Sequence, residues 1–312
     1  VKIKKVALIG LGSMGSFFAP RLSEYLGKEN FRVLAGGDRK ERLQSKGVTI
    51  NGINYRFNIV DPEAKSEPSD LIIIAVKDTG LSKAIKDIKN QVGKHTQILC
   101  VLNGIDSEQH IAKAYGWEHV LYSYMKVSIG MKDGIANYNP NIGEVHFGEA
   151  KNNELSPRVK SIKELFDACH IRNVIDADMI KGLWFKFMCN IGENMTCALL
   201  GVPFGAFRVS RYANEIRHKA MWEVIEIANK LGIDLGQKDI DHHETTIKRL
   251  PFENKPSTLQ DLENLKPTEI EMFAGTVVKL GQQLGVATPI NWMFYNGIKV
   301  LEEKNEGKFK ES

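Results

Sequence analysis

The octapeptide "LIGLGSMG", Leu8 to Gly15, decides how the rest of the chain reads. It closes an apolar, β-rich run, "IKKVALI" from Ile3 to Ile9, and opens onto "SFFAPRLSEYLG" from Ser16 to Gly27. That second stretch repeats its apolar residues at helical spacing and ends on a glycine suited to a C-cap. Gly10, Gly12 and Gly15 thus form a G-x-G-x-x-G between a strand and a helix. The first glycine permits a tight turn, the second lets backbone approach a pyrophosphate, and the third lets helix and strand pack closely. The helix N-terminus then faces the phosphates. The loop Gly10, Leu11, Gly12, Ser13, Met14 and Gly15 is therefore expected to bind a dinucleotide. A glycine turn with no ligand is the alternative, and the strand-to-helix setting argues against it.

Working outward, "FRVLAG" (31–36), "LIIIAV" (71–76) and "TQILCVLNG" (96–104) read as further strands, the last two of the fully buried type. "SKAIKDIKNQVG" (82–93) reads as an amphipathic helix between them. Strands alternating with helices predict a Rossmann-type, doubly wound parallel sheet. Residues 120–149 change texture: alternating runs around an Asp133-Gly134 turn signal suggest antiparallel strands closing that sheet. From about Ala177 strand signals vanish. "ADMIKGLWFKFMCNIGENMTCALLG", "RYANEIRHKAMWEVIEIANKLG" and "PTEIEMFAGTVVKLGQQLG" all carry three- and four-residue apolar spacing. The expectation is an α/β domain over 1–176 and an all-helical domain over 177–312.

A chain of 312 residues has room for two such domains. With 43% hydrophobic and 26% charged residues it has the composition of a globular protein, and no apolar run approaches a membrane span. The net charge of +4 is small and no basic stripe interleaves with aromatics, so no nucleic-acid partner is expected. The opening "VKIKK" leads into a strand rather than the apolar core of a signal peptide. Cys100, Cys169, Cys189 and Cys197 form no C-x-x-C pair and read as small hydrophobes in a reducing compartment, the cytoplasm, with no metal site.

An acidic residue near the end of the second strand would bind a ribose diol, whereas arginine accepts a 2′-phosphate. "FRVLAGGDRKERL" offers Asp38 followed by Arg39 and Lys40. Two cations against one carboxylate favour NADP(H), with Arg39 the phosphate ligand; ordinary loop charges are the alternative.

The helix "GLWFKFMCNIGENMTCALLG" (182–201) poses a different question. Lys186, Asn190 and Asn194 fall at i, i+4 and i+8, and in a regular helix each step of four drifts by only about 40°. They make one polar seam among Trp184, Phe185, Phe187, Met188 and Ile191, which leave little room for a solvent face. A buried lysine needs a partner or loses its proton. Carbonyl reduction needs a hydride donor, a proton donor and hydrogen-bond donors for the rest of the substrate, and this seam can supply the last two.

These motifs together resemble the ketopantoate reductase family, whose members reduce 2-dehydropantoate to pantoate with NADPH, and the resemblance covers essentially the whole chain. It implies that Lys77 in "AVKDTG" lies beside the cofactor and that Asn103 in "LNG" contacts cofactor and substrate. "LWFKFMCNIGENMTCAL" matches the family's W-x-K-x-x-x-N-x-x-x-N helix and makes Lys186 the general acid, with Asn190 and Asn194 at the substrate. "PSTLQDLENLKPTEIEMFAG" puts Ser257 at the substrate carboxylate and Glu269 beside Lys186 and the substrate hydroxyl. The expected ligands are NADP(H) and a small 2-oxo acid, and a homodimer is open. Gly192 within the helix, and Met125 and Lys126 where many relatives carry small residues, depart from the family pattern and bear on substrate identity. A β-hydroxyacid dehydrogenase would also suit the glycine loop and K-x-x-x-N, but gives Ser257 and Glu269 no role. A nucleotide-sensing protein would make the Lys186 seam dispensable.

Overall fold

The structure, a computed structural model, describes residues 2–309 apart from 128 and 133. Asp133 of the expected turn lies outside the described residues. The chain forms two compact units, Val1–Ile180 and Lys181–Ser312.

The first unit carries strands β1 (Val6–Ile9), β2 (Phe31–Leu34), β3 (Val48–Ile50), β4 (Ile53–Tyr55), β5 (Ile59–Val60), β6 (Leu71–Ile74), β7 (Gln97–Cys100), β8 (Val120–Lys126), β9 (Gly130–Lys132), β10 (Ile135–Asn137), β11 (Glu144–Gly148) and β12 (Asn173–Val174). Its helices are α1 (Ser13–Leu26), α2 (Gly37–Lys46), α3 (Leu81–Asp87), α4 (Ser107–Tyr115) and α5 (Pro157–Ala168). The main sheet runs β12-β11-β8-β7-β6-β1-β2-β5. From β5 to β8 every pairing is parallel, and β11 joins β8 antiparallel.

Alternate side chains of the central strands enter different cores. Val6, Leu8, Ile73 and Leu99 pack with Phe17, Phe18 and Phe166. Ala7, Ile9, Ile72, Ile74 and Ile98 pack with Leu81, Ala84 and Ile111. Both faces of the sheet are thus covered, which is why these strands read as unbroken apolar runs. Burial of each of these valine, leucine and isoleucine side chains stabilises by about 1.5–3 kcal/mol.

One expectation is corrected here. The 130–137 hairpin does not close the main sheet; it forms a separate four-stranded sheet, β4-β3-β10-β9, in which β10 runs parallel to β3. Alternation in a sequence identifies a hairpin but not the edge it joins. Antiparallel closure of the main sheet falls to β11, with the two-residue β12 parallel to it at the edge.

The second unit is helical, with no strand among its described residues. Its helices are α6 (Met179–Asn190, entering from the first unit), α7 (Thr196–Leu200), α8 (Ala206–Val209), α9 (Arg211–Lys230), α10 (Gln237–Ile247), α11 (Ser257–Glu263), α12 (Thr276–Leu284) and α13 (Pro289–Asn305). A π-turn, Ile191–Met195, joins α6 to α7 as one long helix, and a second, Glu271–Gly275, leads into α12. Glycine ends two of these helices in the left-handed conformation, Gly201 at φ 66° and Gly285 at φ 67°. The Glu223 carboxylate accepts from the backbone N–H groups of Ile290 and Asn291 at 2.7 and 2.9 Å and so caps α13.

Candidate active site

Strands β1, β2, β6 and β7 end level with one another: Ile9 pairs with Leu34 and with Ile74, and Ile74 pairs with Cys100. The loops that follow therefore leave from one edge of the sheet. Chain order reverses there between β1 and β6, the position where open α/β sheets hold ligands. Gly10 sits at that reversal with φ +96°, and a Cβ on it would lie 2.5 Å from the Ala75 carbonyl carbon. A Cβ on Gly15 would overlap the carbonyl oxygen of Gly10. Both glycines are required by close approach of backbone to backbone. Gly12 differs: a Cβ there meets nothing within 4 Å, so its role is not internal packing. It is the N-cap of α1 and supplies no side-chain cap, which leaves first-turn N–H groups for an anion. This cradle fits a pyrophosphate.

Arg39 lies in the first turn of α2, and its Nη2 donates to the carbonyl of Leu11 at 2.9 Å, inside the glycine loop. Burial around the guanidinium, then the charge of Arg42, lowers its pKa from the usual arginine value. Lys40 turns away to the Asp61 carboxylate at 3.2 Å. Of the two cations weighed from sequence, Arg39 is the one at the loop. Lys77 precedes a single 3₁₀ turn after β6 and is exposed; Asn103 is half-buried in the loop after β7. These two loops are neighbours: the Asp78 carboxyl is raised by burial and then by the charge of Asp106.

In the second unit Trp184, Phe187, Met188 and Ile191 are buried, as is Asn194, while Lys186 and Asn190 are half-buried. The seam is not geometrically uniform. From Lys186 to Asn190 the helix is regular, but Asn190 to Asn194 crosses the π-turn, where i→i+5 bonding absorbs an extra residue and changes the rotation. The constant drift expected from sequence holds for the first step only. The π-turn that begins two residues after Glu269 packs beside this helix: Phe187 and Phe273 stack with centroids 6.3 Å apart. Glu269 is half-buried, and Thr268 before it starts the turn, its hydroxyl accepting from the Ile270 N–H at 3.3 Å. Ser257 is the exposed first residue of α11, which packs on the π-turn and on α7. The three segments expected to carry substrate-handling groups thus lie together within this unit.

Residues 6–152 match the family model described as Ketopantoate reductase PanE/ApbA, and residues 178–302 match the model of its C terminal. The chain belongs to the ketopantoate reductase family. It is similar to the 2-dehydropantoate 2-reductase of Aquifex aeolicus, 27% identical over 312 residues, covering 96% of this chain and 97% of the relative. Its fold is that of D-mandelate dehydrogenase solved with NADH and anilino(oxo)acetate, at TM-score 0.87 and 23% identity over 97% of this chain and 99% of the other. It is also that of the dimeric ketopantoate reductase from Staphylococcus aureus, at TM-score 0.80 and 18% identity over 96% and 99%.

Against this ketopantoate reductase background, two groups of residues stand out that sequence reasoning missed. Thr268 is gripped by Glu302 of α13, whose Oε1 accepts from its backbone N–H at 2.8 Å and its hydroxyl at 2.7 Å. Arg217, fully buried in α9, ion-pairs with Glu193 of the π-turn and Glu244 of α10. The available signal was an arginine flanked by Ala213, Ala220 and Met221 on the apolar face of a long helix. All four cysteines are free and buried. Among the described residues no cluster of His, Cys, Asp and Glu could hold a metal, and no helix is long and apolar enough to cross a membrane.

Proposed function

We propose that the chain is an NADPH-dependent reductase of a 2-oxo acid, 2-dehydropantoate, yielding pantoate. Reduction adds a hydride to the oxo carbon and a proton to its oxygen; a reduced nicotinamide cofactor, when bound, supplies the hydride. The Lys186 ammonium gives the proton to that oxygen. Glu269 keeps the lysine protonated and accepts from the substrate hydroxyl, while Asn190, Asn194 and Ser257 donate to the substrate carboxylate. Gly10, Leu11, Gly12, Ser13, Met14 and Gly15 hold the pyrophosphate, and Lys77 and Asn103 border the nicotinamide end. Arg39, with Arg42 nearby, takes the 2′-phosphate and sets the preference for NADPH.

The observation that carries this reading is the packing of the Lys186 helix against the Glu269 segment through Phe187 and Phe273. It is reinforced by family membership over both units. The same reading puts the enzyme in the cytoplasm, serving pantothenate biosynthesis, as a homodimer like the Staphylococcus aureus relative. A second 2-oxo acid class is favoured by the likeness to D-mandelate dehydrogenase: an aromatic oxo acid reduced with NADH. Steady-state assays with 2-dehydropantoate and with phenyl-substituted oxo acids, each with NADPH and NADH, separate the two. The proposal expects the highest kcat/KM for 2-dehydropantoate with NADPH, and a higher value for an aromatic oxo acid with NADH overturns it.

A further inference from the structure

The long helix from Met179 to Leu200 departs from α geometry at one place, and that place is held from outside. Gly192 lets α9 come in close: a Cβ there would lie 2.7 Å from Met221 Cγ and 3.1 Å from Arg217 Cγ. Next to it, the Glu193 carboxylate accepts from Arg217 Nη1 at 3.4 Å and from His243 Nε2 at 2.6 Å. Arg217 also pairs with Glu244, itself bonded to His218 Nε2 at 2.9 Å, and its guanidinium lies 4.8 Å from the centroid of the Phe207 ring. A buried ionic cluster of this kind is a poor stabiliser, because desolvation offsets most of the attraction and apolar replacements are often neutral or better. Its presence is better explained by what it fixes.

The residue after Glu193 is Asn194. In regular α geometry Asn194 would stand about 80° round the helix from Lys186, two drifts of about 40°. The wider π-turn, Ile191–Met195, turns through less per residue and brings Asn194 back towards Lys186. Loss of the π-turn would therefore swing the Asn194 amide away from the line of Lys186 and Asn190. We propose that Arg217, acting through Glu193, is a positioning residue that holds the π-turn and so aims Asn194 at the substrate. This rests on the reading above, in which Lys186, Asn190 and Asn194 handle a 2-oxo acid.

Two measurements on the full chain test it. In the first, kcat with 2-dehydropantoate and NADPH is compared for wild type, Arg217→Met, Asn194→Ala and the double variant. Arg217→Met is expected to lower kcat roughly 10- to 100-fold with the KM for NADPH unchanged, the size of loss that a small misplacement produces. In the Asn194→Ala background it should cost nothing further, since both changes remove the same contact. Wild-type kcat in Arg217→Met, or losses that multiply in the double variant, overturns the proposal. If Arg217→Met does not fold, Arg217→Lys, which keeps the charge but not the two-pronged donor, replaces it with the same two outcomes. The second measurement needs no substrate: amide hydrogen exchange over residues 191–196. The Arg217 variant should exchange faster there while residues 181–188 keep wild-type protection; unchanged exchange across 191–196 overturns the proposal whatever the oxo acid is. An inert Asn194→Ala, by contrast, removes the substrate reading of Asn194 and leaves the exchange result to judge the anchor.

Discussion

On the proposed reading, the glycine loop of the first unit and the π-interrupted helix of the second prepare polar atoms for a ligand with opposite materials. The loop does so by leaving side chains out: Gly10 and Gly15 are closed in by backbone, and Gly12 is open beside uncapped N–H groups. The helix would do so by bringing side chains in, with its register shifted at a π-turn whose Glu193 pairs with the distant Arg217. A site made of backbone announces itself in a short motif, because only glycine satisfies it. A site made of side chains announces its chemistry but not its geometry, since the neighbours that set the geometry lie far along the chain.

The largest expected effect falls on the helical side. Glu269→Ala should lower kcat with 2-dehydropantoate by roughly 10²- to 10⁴-fold, the range for loss of a group that serves proton transfer. Its urea midpoint should stay near wild type, because the residue is only half-buried. A wild-type kcat would remove Glu269 from the site. The loop should break differently. Gly15→Ala should destabilise the protein by about 3 kcal/mol or more in urea unfolding, since backbone oxygen cannot move aside for a Cβ. Gly12→Ala should unfold like wild type and instead weaken NADPH binding in titration. Equal stability losses at the two glycines would contradict the distinction drawn between them.

Beneath the loop after β7 lies a buried carboxyl that sharpens the contrast further. Burial pushes Glu108 up to about 7, with Asp106 assisting and hydrogen bonds from Ser107 and the Ser123 backbone opposing. The folded protein therefore keeps a proton that the unfolded chain, with a carboxyl near 4.5, has released. This group's effect is stability present below about pH 4.5 and lost progressively as pH rises to about 7, by up to ~3 kcal/mol. Glu108→Gln, whose amide oxygen can accept from the Ser123 N–H while its amide nitrogen donates to the Ser107 hydroxyl, removes the charge and should remove that decline. The difference in unfolding free energy between variant and wild type should grow in the variant's favour from pH 5 to pH 8; a constant difference would contradict it. The smallest expected effect is at the loop's edge. Arg39→Ser should raise the NADPH dissociation constant about tenfold, ~1.4 kcal/mol, and leave NADH unchanged. An equal effect on both cofactors would reduce Arg39 to a contact with Leu11.

The same contrast explains what the sequence disclosed. Strands β1, β6 and β7 were readable because both their faces are buried, which writes an unbroken apolar run. Helix α2 was not, because Leu43 is its one buried residue and ten mostly polar positions carry no period. β3, β4 and β5, two or three residues each, are too short to show alternation. In the second unit the residue types of the seam were legible, and the helices around it as well. The π-turn was not, because nothing local demands it: Gly192 looks like a weak point until Met221 and Arg217 are seen against it. Glu302 stands 34 residues from the threonine it grips, with no pattern linking the two.

The proposed reduction depends most on Lys186 delivering the proton to the oxo group. The direct measurement is NADPH oxidation by purified Lys186→Ala with saturating 2-dehydropantoate, beside wild type at the same pH. Loss of that proton donor should lower kcat roughly 10²- to 10⁴-fold with the fold intact by circular dichroism. Oxidation at the wild-type rate would contradict it.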